Sequence, residues 1–151
     1  MMPMHRASLL ALVSALSAIS ASGVLGCSHS RSAVPADAHV EILQTERLVL
    51  HVTAAPHAES ATCASSTRDS STRFLQLNED TTGNFVLRPA PGVAVLHVQE
   101  LATNRTWCVM TNGDGTGGTI PGEFPSGVYA ITVQGSHSDA AKPYAVVVEK
   151  M

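Results

Sequence analysis

The sequence contains few aromatic and few charged side chains. Phe, Tyr and Trp make up 4% of its 151 residues, and Asp, Glu, Lys and Arg make up 14%, whereas charged residues are about a quarter of an average soluble domain. Part of this shortage lies at the start of the chain, because Met1 to Gly26 contains Arg6 as its only formal charge. The length is sufficient for one domain of ordinary size.

An excess of positive charge is also missing. The formal net charge is −3, and removing Met1 to Gly26 with the single positive charge of Arg6 leaves −4 for the remainder. Nucleic-acid-binding surfaces and polybasic membrane-binding segments both depend on clustered Lys and Arg. The composition therefore excludes both mechanisms, and we expect no nucleic-acid partner.

Only one long apolar run is present, and it is too short to span a membrane. Ala7 to Ile19 is apolar except for serines, follows the charged Met1 to Arg6 and precedes the small, polar Ser20 to Gly26. A membrane-spanning helix needs about 20 apolar residues, whereas this sequence of regions is typical of a secretory signal. We therefore predict a signal helix at 1–26 that is cleaved from the mature protein.

The residues that close this run, Val24-Leu25-Gly26-Cys27, resemble the lipobox of bacterial lipoproteins. The resemblance implies that a diacylglycerol is joined to the Cys27 thiol and that a dedicated peptidase cuts just before this cysteine. Two or three acyl chains on one residue would hold the protein at a bilayer, since each buried CH₂ contributes about 0.8 kcal/mol. An ordinary signal cleaved between Ala21 and Gly26, with Cys27 unmodified, is the alternative.

The segment after this cysteine, Ser28 to Ala38, has no hydrophobic periodicity and little bulk to bury, which is typical of a flexible tether. We therefore divide the chain into a signal at 1–26, the acylated cysteine and tether at 27–38, and a folded domain at 39–151. By the same resemblance, Ser28 in place of Asp implies sorting to the outer rather than the inner membrane of a two-membrane bacterium. The expected partners are the lipid bilayer, through Cys27, and an envelope protein or polymer.

The chain has three cysteines, Cys27, Cys63 and Cys108. If Cys27 is acylated, an even pair remains, and an exported chain encounters an oxidising compartment. The simplest pairing is a disulfide between Cys63 and Cys108, which would tie the Ser- and Thr-rich loop Ala54 to Thr72 to the strand around Trp107. We expect the Trp107 ring to pack in the core. A reactive thiol, the alternative, needs a nearby cation or helix N-terminus, and neither is visible in the sequence.

The folded domain shows the pattern of strands. Seven segments bounded by Gly, Pro, Asn and Asp are rich in β-branched and aromatic residues, and several of them alternate polar and apolar side chains. They are Val40 to Leu43 leading into Arg47 to Val52, Arg73 to Leu77, Asn84 to Arg88, Val93 to Glu100, Thr106 to Thr111, Val128 to Gln134, and Tyr144 to Lys150. No helical pattern separates the later strands. The sequence therefore predicts an all-β fold, an antiparallel β-sandwich of about seven strands.

Two of these segments leave alternatives open. Between Glu41 and Leu50 the apolar residues also fit a helical stripe, although a strand is favoured. Val93 to Val98 changes the phase of its alternation, as a central strand covered on both faces or a β-bulge would.

The end of the chain carries a second resemblance. Phe124-Pro-Ser-Gly-Val-Tyr-Ala-Ile-Thr-Val133, followed by a polar turn and Tyr144-Ala-Val-Val-Val148, resembles the closing hairpin of bacterial pre-peptidase C-terminal domains. The likeness extends over Asn84 to Glu149. It implies a small β-sandwich that serves binding or processing and not catalysis.

One stretch has the spacing of a calcium-binding loop. Counting from Asn112 as position one, Asp114 falls at position three, Thr116 at five and Glu123 at twelve, which are ligand positions of an EF-hand. The polar residue at position eight and the proline at position ten disagree with that motif. A plain glycine-rich loop is favoured, with calcium as the alternative cofactor.

No other pattern predicts catalysis. His51, His57 and His97 lack the spacing of a zinc site, and we expect His51 and His97 to face solvent from strands. The chain contains no G-x-S-x-G motif. We therefore predict a non-catalytic domain without a cofactor. The alternatives are a calcium- or small-ligand-binding module that uses the 112–123 loop, and a hydrolase whose site is not visible in the sequence.

Overall fold

The computed structural model describes residues 33–56, 63, 71–88, 92–111, 113, 116–135 and 143–151. The predicted signal at 1–26 and Cys27 lie outside these residues. The described part of the chain contains no helix, and hence none that is able to cross a membrane. Its strands are β1 (Val40–Ile42), β2 (Arg47–Thr53), β3 (Ala55–Pro56), β4 (Arg73–Leu77), β5 (Thr81–Leu87), β6 (Ala94–Glu100), β7 (Thr106–Met110), β8 (Gly118–Phe124), β9 (Gly127–Gly135) and β10 (Pro143–Lys150).

These strands form two sheets packed face to face, so the predicted all-β sandwich is confirmed. Sheet A has the order β1-β4-β9-β6-β7, with the short β3 paired to β9, and sheet B has the order β2-β10-β5-β8. Two pairings, β1 with β4 and β3 with β9, are parallel. The other six are antiparallel.

The core between the sheets is built from alternate strand positions. On β9, Tyr129, Ile131 and Val133 all point into it and are fully buried, in the phase that a period of two predicts. Sheet B contributes Tyr144 and Val146 from β10 in the same way. Burial of one apolar face in each strand is therefore what holds the two sheets together.

β6 is covered on both faces. Its Leu96 and Val98 belong to the inter-sheet core, whereas Val95 and His97 lie on the opposite, outer face of sheet A and are also buried. The phase change in the sequence thus marks a central strand, flanked by β9 and β7. The prediction that His97 faces solvent is wrong, since its side chain is 2% exposed. His51, on the edge strand β2, is exposed as expected.

The segment predicted to be a loop between Asn112 and Glu123 is a strand over its second half. β8 pairs with β5 over seven residues, from Thr81 opposite Phe124 to Leu87 opposite Gly118. Its glycines and proline have low strand propensity and so conceal the strand in the sequence. Pro121 is tolerated because β8 is an edge strand of sheet B, where a missing N–H interrupts no ladder.

The first predicted strand segment divides between the sheets. β1 pairs with β4, placing Val40 opposite Phe74, whereas β2 pairs with β10. The four residues 43–46 therefore carry the chain from sheet A to sheet B. The helical alternative over Glu41 to Leu50 is wrong.

The segment before β1 packs on the outer face of sheet A. Val34 and Ala38 contact a small second core around Phe74 and Leu101. Ahead of β1, the Ala38 amide donates a hydrogen bond to the Pro35 carbonyl oxygen at 3.1 Å, which closes a turn. The predicted domain boundary at residue 39 therefore lies within a region that is already packed.

Two glycines permit close approach of neighbouring strands. A Cβ atom on Gly83 would overlap the backbone carbonyl of Glu149, on β10. A Cβ atom on Gly118 would lie 2.9 Å from the Val109 side chain, where β8 meets β7 of the other sheet. These contacts explain why β5 and β8 contain glycine despite its low strand propensity.

Candidate functional site

The structure joins Cys63 and Cys108 in a disulfide, with Sγ atoms 2.00 Å apart and Cα atoms 5.7 Å apart. This is the pairing that the cysteine count predicts, and it leaves neither sulfur as a free thiol. The neighbours of Cys108 on β7, Trp107 and Val109, pack against the inter-sheet core, so Cys108 lies on the outer face of sheet A. The disulfide therefore attaches Cys63 to that face. Most of the loop predicted at Ala54 to Thr72 lies outside the described residues.

Of the four residues with calcium-loop spacing, the structure describes Thr116 and Glu123. Asn112 and Asp114 lie outside the described residues, and Glu123 lies in β8 opposite Thr82. A strand rises about 3.3 Å per residue, which separates Gly118 from Glu123 by about 16 Å. Thr116 is two residues before Gly118, about 7 Å of chain at most.

The Cα atoms of Thr116 and Glu123 are therefore at least about 9 Å apart. The calcium loop stays a prediction, because Asn112 and Asp114 are not among the described residues. The flanking elements are strands, β7 and β8, and not the helices of an EF-hand. Within the ranges that the structure describes, no group of three or more His, Cys, Asp and Glu residues is arranged to hold a metal ion. His57, considered for zinc with His51 and His97, lies outside these ranges.

A cleft of about 520 Å³ opens at one end of the sandwich. It is bordered by the start of β5, the start of β7, and the end of β8 with the turn into β9. Its volume lies within the range of about 300–1,000 Å³ that is usual for ligand-binding pockets. We call it the end cleft. Its lining includes the side chains of Asp80, Thr82, Arg105, Trp107, Pro121 and Glu123.

Aromatic rings form a packed base for the end cleft. The Phe124 ring lies 4.7 Å from the Phe85 ring and 5.2 Å from the Trp107 ring, measured between centroids. Tyr129 lies within 6.2 Å of all three. Four of the six aromatic residues in the chain therefore meet at one place. Edge-to-face and tilted contacts of this kind contribute about 0.5–1.5 kcal/mol per pair beyond the area that they bury.

Trp107 takes part in both the core and the end cleft. Its ring packs against the inter-sheet core, as predicted, and its other side lies beneath Arg105. The Arg105 guanidinium carbon is 4.7 Å from the centre of the Trp107 ring, within the range of a cation–π interaction. The ring thus fixes the direction in which this cation is presented.

The turn between β6 and β7 holds the backbone of Arg105. Asn104 adopts a left-handed conformation with φ of 61°, which Asn tolerates better than most residues. The Glu100 amide donates to the Arg105 carbonyl oxygen at 2.9 Å. The Thr103 hydroxyl donates to the Glu100 carboxylate at 2.6 Å and accepts from the Arg105 amide at 3.2 Å. These bonds therefore hold the Arg105 backbone in the wall, and its side chain lies over the Trp107 ring.

The opposite wall is fixed by the turn that joins β8 to β9. The Tyr129 hydroxyl donates to the Pro125 carbonyl oxygen at 2.6 Å, and the Ser126 amide donates to the Asp80 carboxylate at 2.8 Å. Burial raises the pKa of Tyr129 well above its usual range, and the Glu100 carboxylate acts in the same direction. The phenol is therefore held in its neutral, donating form.

Replacement of Tyr129 by Phe is expected to lower the free energy of unfolding by about 1–3 kcal/mol, because the Pro125 carbonyl loses its donor. Since the pKa of Tyr129 is raised in the folded state, its contribution is complete below the unfolded value of about 10 and is lost as the pH rises above it. Urea unfolding at neutral and alkaline pH measures both effects. An equally steep alkaline loss of stability in the Tyr129→Phe variant would contradict this assignment.

A second, smaller cavity of about 410 Å³ lies beside the turn at Pro35 to Ala38 and the start of β4. Its only arginine, Arg73, already donates from Nε to the His51 carbonyl oxygen at 3.1 Å. This cavity is also lined by an acidic and a basic side chain, Asp37 and Arg73, but it lacks the cluster of four aromatic rings that forms the base of the end cleft. The end cleft is therefore the stronger candidate.

No pattern in the sequence predicts the end cleft. Asp80, Arg105 and Glu123 belong to three separate segments, and no spacing in the chain relates them. The sandwich topology brings them together, since the end of β4, the start of β7 and the end of β8 meet at the same end of the fold. Comparisons of the chain with protein-family profiles and with curated proteins found no match.

Proposed function

We propose that this protein is an exported lipoprotein, anchored through acylated Cys27 to the outer membrane. Its β-sandwich is a non-catalytic recognition domain that binds an envelope protein or polymer at the end cleft. The observation that carries the proposal is the end cleft itself, a rigid, ligand-sized space in which an aromatic base is combined with charges of both signs.

The position of the end cleft supports this role. The turn at Pro35 to Ala38 leads into β1 beside Thr72 and Arg73, at the start of β4. The end cleft includes Asp80, after the end of β4. The turn through which the chain enters the fold therefore lies at the start of β4, and the end cleft lies beyond the end of β4. An anchor attached ahead of this turn would leave the cleft on the far side of the domain.

The edges of sheet B support recognition at the cleft over recognition by strand addition. On β2 the Arg47 carbonyl accepts a hydrogen bond from the Thr45 hydroxyl at 2.7 Å, and the His51 carbonyl accepts one from Arg73. On β8 the central Pro121 has no N–H to offer a partner strand. Side-chain caps and edge prolines are common means of preventing edge-to-edge association.

The charged groups of the cleft favour binding over catalysis. The Asp80 carboxylate is engaged by the Ser126 amide, and the Arg105 guanidinium is stacked on Trp107. A general acid or base must be placed to exchange a proton with a substrate. Groups that are already committed to holding the walls are better suited to positioning a bound surface.

The anchoring half of the proposal is tested by expressing the full chain in a two-membrane bacterium. We expect mass spectrometry to show a mature protein that begins at Cys27 and carries acyl chains, and membrane fractionation to place it in the outer membrane. A Cys27→Ala variant should remain as an unacylated precursor. A wild-type protein that fractionates as soluble, with Cys27 unmodified, would overturn the anchoring.

A further inference from the structure

We infer that the end cleft binds a neutral, hydroxyl-rich saccharide unit of a polymer. This inference rests on the proposed recognition role of the cleft and gives the chemical class of its ligand. It is carried by the charges that line a single space of about 520 Å³: the carboxylates of Asp80 and Glu123 and the guanidinium of Arg105.

Charges of both signs in one cleft select against a charged ligand. An anionic group bound beside Arg105 would share the cleft with the carboxylates of Asp80 and Glu123, and a cationic group bound beside either carboxylate would share it with Arg105. A neutral hydroxyl avoids this conflict, because it donates to a carboxylate and accepts from a guanidinium. Hydrogen bonds of this kind, with one charged partner, are stronger than those between two neutral groups.

The rest of the lining suits the apolar C–H faces of a sugar ring. Pro121 and Pro125 border the cleft with rigid rings, and Trp107, with Arg105 over its ring, is also part of the lining. The Thr82 hydroxyl, exposed at the start of β5, adds a further donor and acceptor. Apolar walls with a few fixed polar groups are the usual composition of a site for a small neutral ligand.

The walls are also organised before any ligand arrives. Tyr129 and Asp80 hold the turn between β8 and β9, and Asn104 with Thr103 holds the turn that carries Arg105. Fixed donors and acceptors reduce the entropy that binding would otherwise cost. This matters for a sugar, whose hydroxyls must exchange bonds to water for bonds to the protein.

The test uses the acylated full-length protein in zwitterionic micelles that carry no sugar headgroup. Binding is followed by heteronuclear NMR with two neutral probes, the tetrasaccharides of glucose (β-1,4-linked) and of N-acetylglucosamine. Their charged counterparts are the fully deacetylated, cationic glucosamine tetrasaccharide and the anionic galacturonic acid tetrasaccharide. We expect a neutral probe to shift the amide signals of Trp107 and Glu123, and to bind at least about tenfold more tightly than either charged probe.

The variants Arg105→Gln and Glu123→Gln should each weaken binding of the neutral probe by about tenfold or more, since each removes a charged hydrogen-bonding partner. Arg88→Gln is the matched control, because Arg88 is exposed beyond the far end of β5 and should change nothing. Unchanged melting temperatures would show that the cleft variants fold.

Three results would overturn the inference. The first is the absence of shifts with both neutral probes, and the second is equal or tighter binding of a charged probe. The third is neutral binding that survives both cleft variants, which would place the site elsewhere. Membrane fractionation of the wild-type protein and the Cys27→Ala variant does not depend on any of these results. An error in the proposed ligand class can therefore be distinguished from an error in the proposed anchoring.

Discussion

Replacing both Cys63 and Cys108 by alanine is expected to lower the free energy of unfolding by about 4 kcal/mol. The two cysteines are 45 residues apart and bonded to each other, and a cross-link of that span restricts the unfolded chain by about this amount. Domains of ordinary size have a total stability of about 5–15 kcal/mol. Loss of the disulfide would therefore remove a large fraction of what keeps the sandwich folded.

The position of the disulfide in the fold indicates which strands should be destabilised first when it is removed. Cys108 lies on β7, an edge strand whose partner within sheet A is β6. It stands in one row with His97 and Thr132, and the Thr132 hydroxyl lies 3.2 Å from the hydroxyl of Thr72. His97 and Thr132 are 2% and 3% exposed. The disulfide thus closes one end of a buried polar row on the outer face of sheet A.

Urea unfolding and amide hydrogen exchange of the double variant test this prediction. Wild-type protein kept under reducing conditions is the control and should lose the same stability. Exchange should accelerate most in β7 and least in β10, which lies between two strands of sheet B. A loss below about 1 kcal/mol would show that the loop is restrained by other contacts, and the chain-entropy account would then be wrong.

The features that the sequence predicts correctly are those set by local pattern. The alternation of Tyr129, Ile131 and Val133 places one face of β9 in the core. The same alternation in β10 places one face of that strand in the same core, from the other sheet. The disulfide follows from counting, because the predicted acylation of Cys27 would leave a single pair of cysteines. These predictions need no knowledge of which strands are neighbours.

The predictions that fail are those that depend on neighbours. β8 has the composition of a loop, and it is a strand because β5 supplies a ladder along its full length. His97 is buried because its strand is central and its outer face is covered, not because of its own polarity. Val34 and Ala38 have little bulk, yet Phe74 and Leu101 give them a surface to pack on. Tertiary context therefore overrides propensity at each of these positions.

The end cleft could not have been predicted for the same reason. Its polar groups come from Asp80, Arg105 and Glu123, whose proximity is a result of strand order. The stretch from Asn112 to Glu123 has a recognisable spacing in the sequence, whereas the residues of the end cleft do not. In the structure the end of this stretch forms part of one wall of the end cleft, through Pro121 and Glu123.

Replacing Phe85 by alanine is expected to lower the free energy of unfolding by about 3–5 kcal/mol, the usual loss for removing a buried phenyl ring. Phe85 is 1% exposed and lies between Val148 and Ile120 in the centre of sheet B. Its ring also contacts those of Phe124 and Tyr129. The variant would therefore leave a cavity directly beneath the end cleft.

Val86→Ala is the matched control, because Val86 follows Phe85 on the same strand, points to the opposite face and is only half-buried. It should cost about 1 kcal/mol or less by the same measurement, chemical unfolding in urea. Comparable losses in the two variants would contradict the placement of Phe85 in the inter-sheet core. Phe85→Leu extends the test to the end cleft, since leucine fills part of the space but makes no ring contact. If the aromatic base fixes the walls, this variant should fold and yet bind the neutral tetrasaccharides more weakly than wild type.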